Sequence, residues 1–525
     1  MEKLNTYWGE SHDNTYTSYP LPAPIGEVIE RAASHLDFYA SAYYTAEASA
    51  FTSEGHISES DTVEELVLEG WKPPEKLERE WQEVQKATRR MNQPGEFVTF
   101  PGYEWQGDGS PGDHNVYCRQ EGLPIFRVNT LPELYERLRE HDALAIPHHL
   151  AYRTGRRGVD WSVKDEKVSP FAEIYSIHGC SETDEEYIGM RQNPHMGPGA
   201  GAGTYQAALD RGLHIGAVCS TDNWGKMPGR YGHGTMACLA PELTRESLWE
   251  AFLARRVYGV TGDRIQLDFR VNDALMGQCI TAGGGRSISV EVTGWDALDR
   301  VEILRNGRVI ATHCHQGTWK MPAAGERSEF RMRVECGWGP SCTEVDVPDR
   351  RWEGELRVES GEMGGYHPCW VSPGQSAPRL REGTAEFSIR SGCETARNRL
   401  HNALIFSFAA TPESSLRLRL DGRQLTGAVS DFAAQSRLLT YEDQSIAMLE
   451  ERAGIEPGSP ERNDIYHFMS GKAKVHRAMP RAAYEAKLEF EDEEALTAEA
   501  NYRVRVQQRN GHMAWSSPIW VTPTA

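Results

Sequence analysis

Glu104 is the first residue of this chain whose type and setting suggest chemistry. It lies in Pro101 to His114, PGYEWQGDGSPGDH, after the β-rich run Phe97-Val-Thr-Phe100 and before a loop rich in Gly, Pro and Asp. Its carboxylate is therefore expected where a strand ends and a loop begins. Four other stretches close in the same way on His, Asp or Glu: Tyr7 to His12, Ala143 to His149, Phe171 to His178, and His214 to Asp222. A fifth strand-like run, Leu36 to Tyr44, brings no such ligand. Oxygen and imidazole donors gathered at one end of several strands suit a divalent-metal site at the mouth of an α/β barrel. Each signal is weak alone, because the chain holds 18 histidines and most read as surface or core residues. Successive strand side chains face opposite sides, so only one of His148 and His149 is expected to point inward unless the backbone bends. Asp222 follows the apolar run Ile215 to Cys219, where an ionised carboxylate is costly to bury without a partner or a cation.

The elements that must carry these residues alternate in the first half. Apolar residues at helical spacing predict helices over Ile25 to His35, Lys76 to Met91, Leu131 to Arg139, Tyr205 to Arg211 and, from an N-cap at Thr244, through Arg255. A capping-box-like Asp61-Thr-Val-Glu64 predicts a further short helix ending at Gly70. Strands are expected at Leu36 to Ser41, Ala143 to Pro147, Ile215 to Cys219 and Val257 to Val260. Alternation of this kind predicts a mostly parallel α/β domain, either a barrel or an open sheet.

Beyond Gly262 the period changes to two. Asn306-Gly307 and Asp421-Gly422 each sit between alternating runs and predict tight hairpins. Strands are expected at Phe330 to Val334, Leu356 to Val358, Phe387 to Ile389, Tyr502 to Val506 and Ile519 to Val521. The expected organisation is thus a mostly parallel α/β domain over 1–265 and an antiparallel, β-sandwich-like half over 266–525, as one or two sandwiches.

Composition bounds the function. The chain has 525 residues, 39% apolar and 25% charged, with a net charge of −20. That balance argues against nucleic acid or an anionic membrane as the main partner. No apolar run approaches the ~18 residues of a membrane span, and Met1-Glu-Lys-Leu-Asn5 lacks an apolar signal segment, so a cytoplasmic protein is expected. The ten cysteines show no C-x-x-C spacing and are expected as thiols. A small anionic or ester substrate, and an oligomer, fit these bounds.

Residues 5 to about 275, with Ala514-Trp-Ser-Ser-Pro-Ile-Trp-Val521, resemble the domain-of-unknown-function family 3604 of the polymerase and histidinol phosphatase (PHP) superfamily. The resemblance is carried by Tyr7-Trp-Gly-Glu-Ser-His12, Gly102-Tyr-Glu104-Trp, Gly112-Asp-His114-Asn-Val-Tyr117, Pro147-His148-His149, Glu173-Ile-Tyr-Ser-Ile-His-Gly179 and Ser220-Thr-Asp222-Asn223. Leu243-Thr-Arg-Glu-Ser-Leu248 and the run Arg255 to Ile265 extend it. It implies a distorted (β/α) barrel with two or three divalent metals, and phosphate-ester hydrolysis as the best-known superfamily chemistry. The retained metal ligands it implies are His12, Glu104, His148, His178 and Asp222.

Three departures matter. The superfamily's opening His-x-His is His12-Asp13-Asn14 here, its second motif falls on Ala42-Tyr43-Tyr44, and its closing Asp-x-His is Asp222-Asn223-Trp224. Two metals (Mn, Zn or Fe) are then expected rather than three. One would sit with His12, Glu104 and Asp222, the other with Glu104, His148 and His178, with Glu104 bridging. Two divalent cations against the carboxylates of Glu104 and Asp222 leave a charge of about +2, which favours an anionic ester. Around the metals, Glu104, Asp222, His114, His149 and His233 are candidates for catalysis. Asn14, Tyr44 and Trp224 stand at substrate positions. Arg153, Arg156 and Arg157 read either as a solvated basic loop or as an anion grip. Gly197 to Gly203, GPGAGAG, reads as a lid. Three functions remain open at this stage: phosphoester hydrolysis, hydrolysis of an amide or carboxylic ester, and binding by a barrel that has lost catalysis.

Overall fold

In the computed structural model the described residues are 3–17, 23–45, 74–107, 110–155, 157–185, 188–191, 199, 201–223, 227–339, 348–395, 398–456 and 471–524. The predicted helix at Asp61 to Gly70 lies outside them, as do Arg156, Trp224 and residues 197, 198 and 200 of the stretch read as a lid. The fold is mixed α/β, dominated by sheets. By contacts the chain forms two compact units. The first combines Met1–Thr293, Asp299–Cys314 and Ala486–Ala525, and the second combines Gly294–Leu298 and His315–Glu485.

The first unit begins with β1 (Asn5–Glu10), β2 (Asn14–Thr15), α1 (Ile25–Ala33), β3 (Phe38–Ala40), β4 (Ala42–Tyr44), α2 (Pro74–Met91), β5 (Val98–Phe100) and β6 (Gly102–Trp105). It continues with β7 (His114–Cys118), α3 (Leu131–Arg139), β8 (Ala143–Pro147), β9 (Phe171–Ser176), β10 (Gly179–Cys180), α4 (Tyr205–Asp210), β11 (Gly216–Cys219), β12 (Thr235–Ala240), α5 (Arg245–Leu253) and β13 (Val257–Val260). The helices arise where periodicity put them. Ile25, Val28, Ile29 and Ala32 are buried along α1, and Thr244 accepts from the Ser247 N–H at 3.1 Å to start α5.

Three successive strands break in the middle. β1, β3 and β5 pair in parallel in one sheet, while their continuations β2, β4 and β6 pair in parallel in another, of order β2-β4-β6-β7-β8. Pro101, which has no N–H for the ladder, marks one break. Gly102 is required just after it, because a Cβ there would lie 2.4 Å from the Ser41 carbonyl oxygen and 2.6 Å from that of Val116. A third sheet runs β10-β9-β11. Among the described residues these sheets stay separate and no closed barrel forms, which corrects the barrel expectation: the strand breaks end each ladder before it can wrap round. Glu104 consequently lies inside β6 and not at a strand end.

The expected division at residue 265 is also displaced. Met513–Ser516 pairs with β13, and Ala500–Gln508, Ile519–Pro523 and Cys279–Ala282 extend the same sheet. The chain terminus therefore belongs with the first unit, held by backbone pairing that no local signal announces. The Asn306-Gly307 hairpin forms as predicted, with φ of 48° and 76° at its two turn residues, and it too belongs to this unit.

The second unit is a sandwich of two antiparallel sheets. One has the order Glu362–Cys369, Asn402–Ala410, Ser328–Gly337, Gly471–Val475, Arg437–Tyr441; the other Arg379–Arg381, Thr384–Ser391, Arg350–Val358, Ser415–Leu420, Arg423–Ala428. Their apolar faces meet at Phe387 and Phe406, centroids 5.2 Å apart, and at Trp352 and Tyr441, 5.1 Å apart. Asp421 and Gly422, at φ 44° and 78°, make the second predicted hairpin. No helix among the described residues is long and apolar enough to cross a membrane.

Candidate metal centre

The break between β1 and β2 places His12 at the centre of a buried group of side chains. Its backbone is tied to the segment after β11. The Ser11 N–H donates to Ser220 Oγ at 3.0 Å, the Thr221 hydroxyl donates to the His12 carbonyl at 3.0 Å, and Asp13 bridges to Asn223. Glu10, fully buried, accepts from the N–H groups of His12 (2.7 Å), Thr221 (3.2 Å) and Gly229 (2.8 Å). It thereby fixes both loops without reaching the centre.

The His12 ring is fully buried. Nδ1 lies 2.9 Å from Glu173 Oε2, while Nε2 lies 3.2 Å from Asp222 Oδ1 and 3.6 Å from Glu104 Oε2. An ionised carboxylate only accepts, so Nδ1 carries hydrogen and Nε2 faces two acceptors. His178 repeats the arrangement. The Tyr152 hydroxyl spends its one hydrogen on the Arg191 carbonyl (3.0 Å), so it accepts from His178 Nδ1 at 2.9 Å, and His178 Nε2 then faces Asp222 Oδ2 at 3.1 Å. His148 Nε2 stands 3.8 Å from Glu104 Oε1, and its ring centroid lies 4.2 Å from that of His12.

Nitrogen lone pairs aimed at carboxylate oxygens need a positive charge between them. His12 Nε2, Glu104 Oε2, both His148 nitrogens and Asp222 Oδ2 are buried without a hydrogen-bond partner. Ligand atoms held at about 2.1 Å by one cation sit about 3.0–3.4 Å from each other, close to the spacings here. At this centre three sets bring one ligand atom from each residue within 4.8 Å of one another: His12, Glu104 and His148; His12, Glu173 and Asp222; and Asp113, His148 and His149. The residues present therefore fit divalent cations. Without one, only protonation can satisfy His12: burial opposes the charge, but Asp222 and Glu173 outweigh it and hold the imidazole well above its ordinary value. For Glu173 burial dominates, pushing it up to about 7 despite His12.

Two backbone bends build the site. His149 has φ 34° and Asp222 φ 47°, a region that costs non-glycine residues energy and recurs where function overrides local preference. The bend at His149 breaks strand alternation, so both consecutive imidazoles face inward, with centroids 4.3 Å apart. This is the backbone bend under which both His148 and His149 were expected to point inward.

The remaining candidates divide. Arg157 is brought in, with Nε 2.6 Å from Asp113 Oδ2 and Nη2 3.5 Å from Glu104 Oε1. Asn14 Nδ2 donates to Asp222 Oδ1 at 3.4 Å. Tyr44 is buried and reaches Glu104 through Gln106, whose amide donates to the Tyr44 hydroxyl at 3.3 Å and to Glu104 Oε1 at 2.8 Å. Arg153 is exposed, and His233 lies in the turn after Arg230, outside the three sets. His114 is turned away: Nδ1 donates to the Gly112 carbonyl at 3.0 Å, the ring packs on Trp105 and Tyr135, and burial holds it down at about 3. Strand alternation explains this, since β7 starts at His114 and its neighbour Asp113 takes the inward side. Asp113 lies 3.3 Å from His149 Nε2 and, although burial opposes ionisation, Arg157 and His149 hold it below the usual carboxylate range.

The expected partition is also revised. Glu104 lies between His12 and His148, whereas Asp222 lies between His12 and His178. Asp113, Glu173, Glu10 and Tyr152 were missed as site residues. The first three stand inside quoted motifs, so position was legible, but side-chain direction was not. The carboxylates of Asp113 and Glu173, set against the Arg157 guanidinium, lower the surplus of about +2 expected from Glu104 and Asp222 alone to about +1.

The family described as "Protein of unknown function (DUF3604)" matches residues 27–137. An uncharacterized protein of Chlamydia pneumoniae is 28% identical over 256 residues, 44% of this chain and 40% of the relative. Another, of Chlamydia muridarum, is 28% identical over 268 residues, 45% of this chain and 41% of the relative. The matched region thus spans about two fifths of the length of these relatives. A solved two-domain protein of Bacteroides vulgatus, described as containing a predicted PHP-like metal-dependent phosphoesterase, aligns over 57% of this chain and 79% of its own. Its identity is 11% and its TM-score 0.32, too low to define a common fold.

Proposed function

We propose that the first unit is a metal-dependent hydrolase of a small phosphoester. The observation that carries this reading is the pair of imidazole nitrogens, His12 Nε2 and His178 Nε2, aimed at the two oxygens of Asp222. A divalent cation bound among these atoms would supply Lewis acidity and make a water more acidic. Glu173 and Tyr152 hold the two rings in the tautomer that turns Nε2 inward. His149 is kept neutral chiefly by burial, and with Nε2 beside Asp113 its Nδ1 lone pair is placed to take a proton. Arg157, half-buried, is the cation nearest an incoming anion.

The choice of a phosphoester rests on the sequence resemblance, and hydrolysis of an amide or carboxylic ester would use the same groups. Purified protein should carry close to two divalent ions per chain and hydrolyse p-nitrophenyl phosphate, with p-nitrophenyl acetate and simple amides untouched. Cleavage confined to the acetate or the amide would replace the phosphoester reading. A second reading, a binding module without turnover, is favoured by Arg157, which already supplies a charge beside Glu104 and Asp113. Metal content well below one ion per chain, with no hydrolysis, would select it.

A further inference from the structure

Outside the metal centre, at the opposite end of β11 from Asp222, the first unit assembles a thiol, an imidazole and a carboxylate in series. Cys279 Sγ lies 3.4 Å from His214 Nδ1, and His214 Nε2 lies 2.6 Å from Glu499 Oε1. The other Glu499 oxygen accepts from the Thr522 hydroxyl at 3.0 Å. We propose that Cys279 is a nucleophilic modification site, with His214 as its base and Glu499 as a positioning residue, which takes up small disulfides as mixed disulfides.

The tautomer follows from the carboxylate. Glu499 can only accept, so Nε2 keeps its hydrogen and the Nδ1 lone pair faces the sulfur. That is the order of a nucleophile, its base and the group that orients the base. The neighbours on either side, Cys279 and then Glu499, hold the imidazole up to about 9 against partial burial. The ring is held in place from below: Trp520 packs on it with centroids 4.7 Å apart, and Arg255 lies 5.4 Å from the Trp520 ring on which the stack rests. The backbone fixes the register, since Cys279 and Trp520 are partners in a parallel ladder and Asn501 pairs with Trp520 from the next strand. Three segments far apart in sequence therefore set one sulfur beside one base. Cys279 is also exposed, whereas Cys118, Cys180, Cys219 and Cys238 are buried.

The exchange step balances without any further reagent. His214 Nδ1 takes the thiol proton. Cys279 Sγ then attacks one sulfur of a low-molecular-weight disulfide, forming a new S–S bond as the old one breaks. The departing thiolate leaves with the bonding pair and is protonated by the imidazolium. Cys279 is oxidised to the mixed disulfide and half of the reagent is reduced to thiol.

Dithiodipyridine labelling of the full chain, with adducts mapped by peptide mass, tests this. A short unstructured peptide with one cysteine, labelled in the same reaction, serves as the reference. At pH 6.5 Cys279 should label about tenfold faster than the peptide thiol. His214→Gln should bring Cys279 down to the peptide rate and give it the same pH profile, and Glu499→Gln should slow it about threefold and shift the profile. Equal rates and superimposable pH profiles for Cys279 in the unmodified sequence and the peptide thiol would overturn the proposal, a result that needs no variant to fold.

Discussion

Two buried charge clusters of the first unit use the same kinds of residue and end in opposite states. At Glu182 both carboxylate oxygens find donors within the protein. Arg503 Nη1 donates to one oxygen, Arg505 Nη1 (3.2 Å) and Trp515 Nε1 (2.6 Å) donate to the other, and Arg503 continues to Gln206 at 2.9 Å. At Asp222 and Glu104 the carboxylates face imidazole lone pairs and several polar atoms end on nothing. Arginine and indole donors on both oxygens make a structural ion cluster at Glu182; at Asp222 and Glu104, Asn14 and Gln106 each donate to one oxygen, and the imidazole lone pairs that face the carboxylates make a place for a cation from outside. Burial alone does not separate a site from a strut. The sign of what surrounds each carboxylate does.

The contrast can be broken or sharpened experimentally. The largest difference is expected in turnover. Asp222→Ala or Glu104→Ala should abolish bound metal and reduce hydrolysis on the order of a thousandfold, ~4 kcal/mol, while the metal-free protein melts no earlier than the parent; full activity in a metal-stripped variant would erase the contrast. Glu182→Ala should do the reverse. Leaving Arg503 buried without its partner costs about 3–5 kcal/mol in a denaturant titration, with metal content per folded chain unchanged. Next in size, added metal at about 100 times its Kd should stabilise the parent by about 2.7 kcal/mol and leave Glu104→Ala unmoved. Glu173→Gln, which loosens the His12 ring, should weaken metal binding about 10- to 100-fold in a competition titration with a chelator. The smallest effect concerns acid. Burial raises Glu182 but Arg503 and Arg505 outweigh it, so its folded value lies below its unfolded one. Its contribution is therefore complete above the ordinary carboxyl range and is lost as pH falls through the folded value. Glu182→Gln should flatten that acid limb of stability against pH, and an unchanged limb would place the dependence elsewhere.

How much of this was legible beforehand differs by kind of feature. The helices over Ile25, Leu131 and Arg245 and both hairpins follow local rules, because periodicity, caps and positive-φ turn residues act within a few positions. Five residues picked out in the sequence, His12, Glu104, His148, His178 and Asp222, lie together in the structure. Side-chain direction was not legible. His114 and Asp113 are neighbours, and the strand starts between them and sends them to opposite sides. Whether both His148 and His149 face inward turned on a backbone bend at His149 that the sequence does not announce.

The sequence by itself therefore determined which donors are available, roughly where each lies along its strand, and that the second half is β-rich with two tight hairpins. Only the tertiary structure decided that the strands break into separate sheets, that the terminal strands return to the first unit, and which acceptors face which nitrogens. The physical reason is range. Propensity and period act over one or two turns of chain, whereas the pairing of Met513–Ser516 with Val257–Val260, and the meeting of His12 with Asp222, depend on contacts between segments more than 200 residues apart.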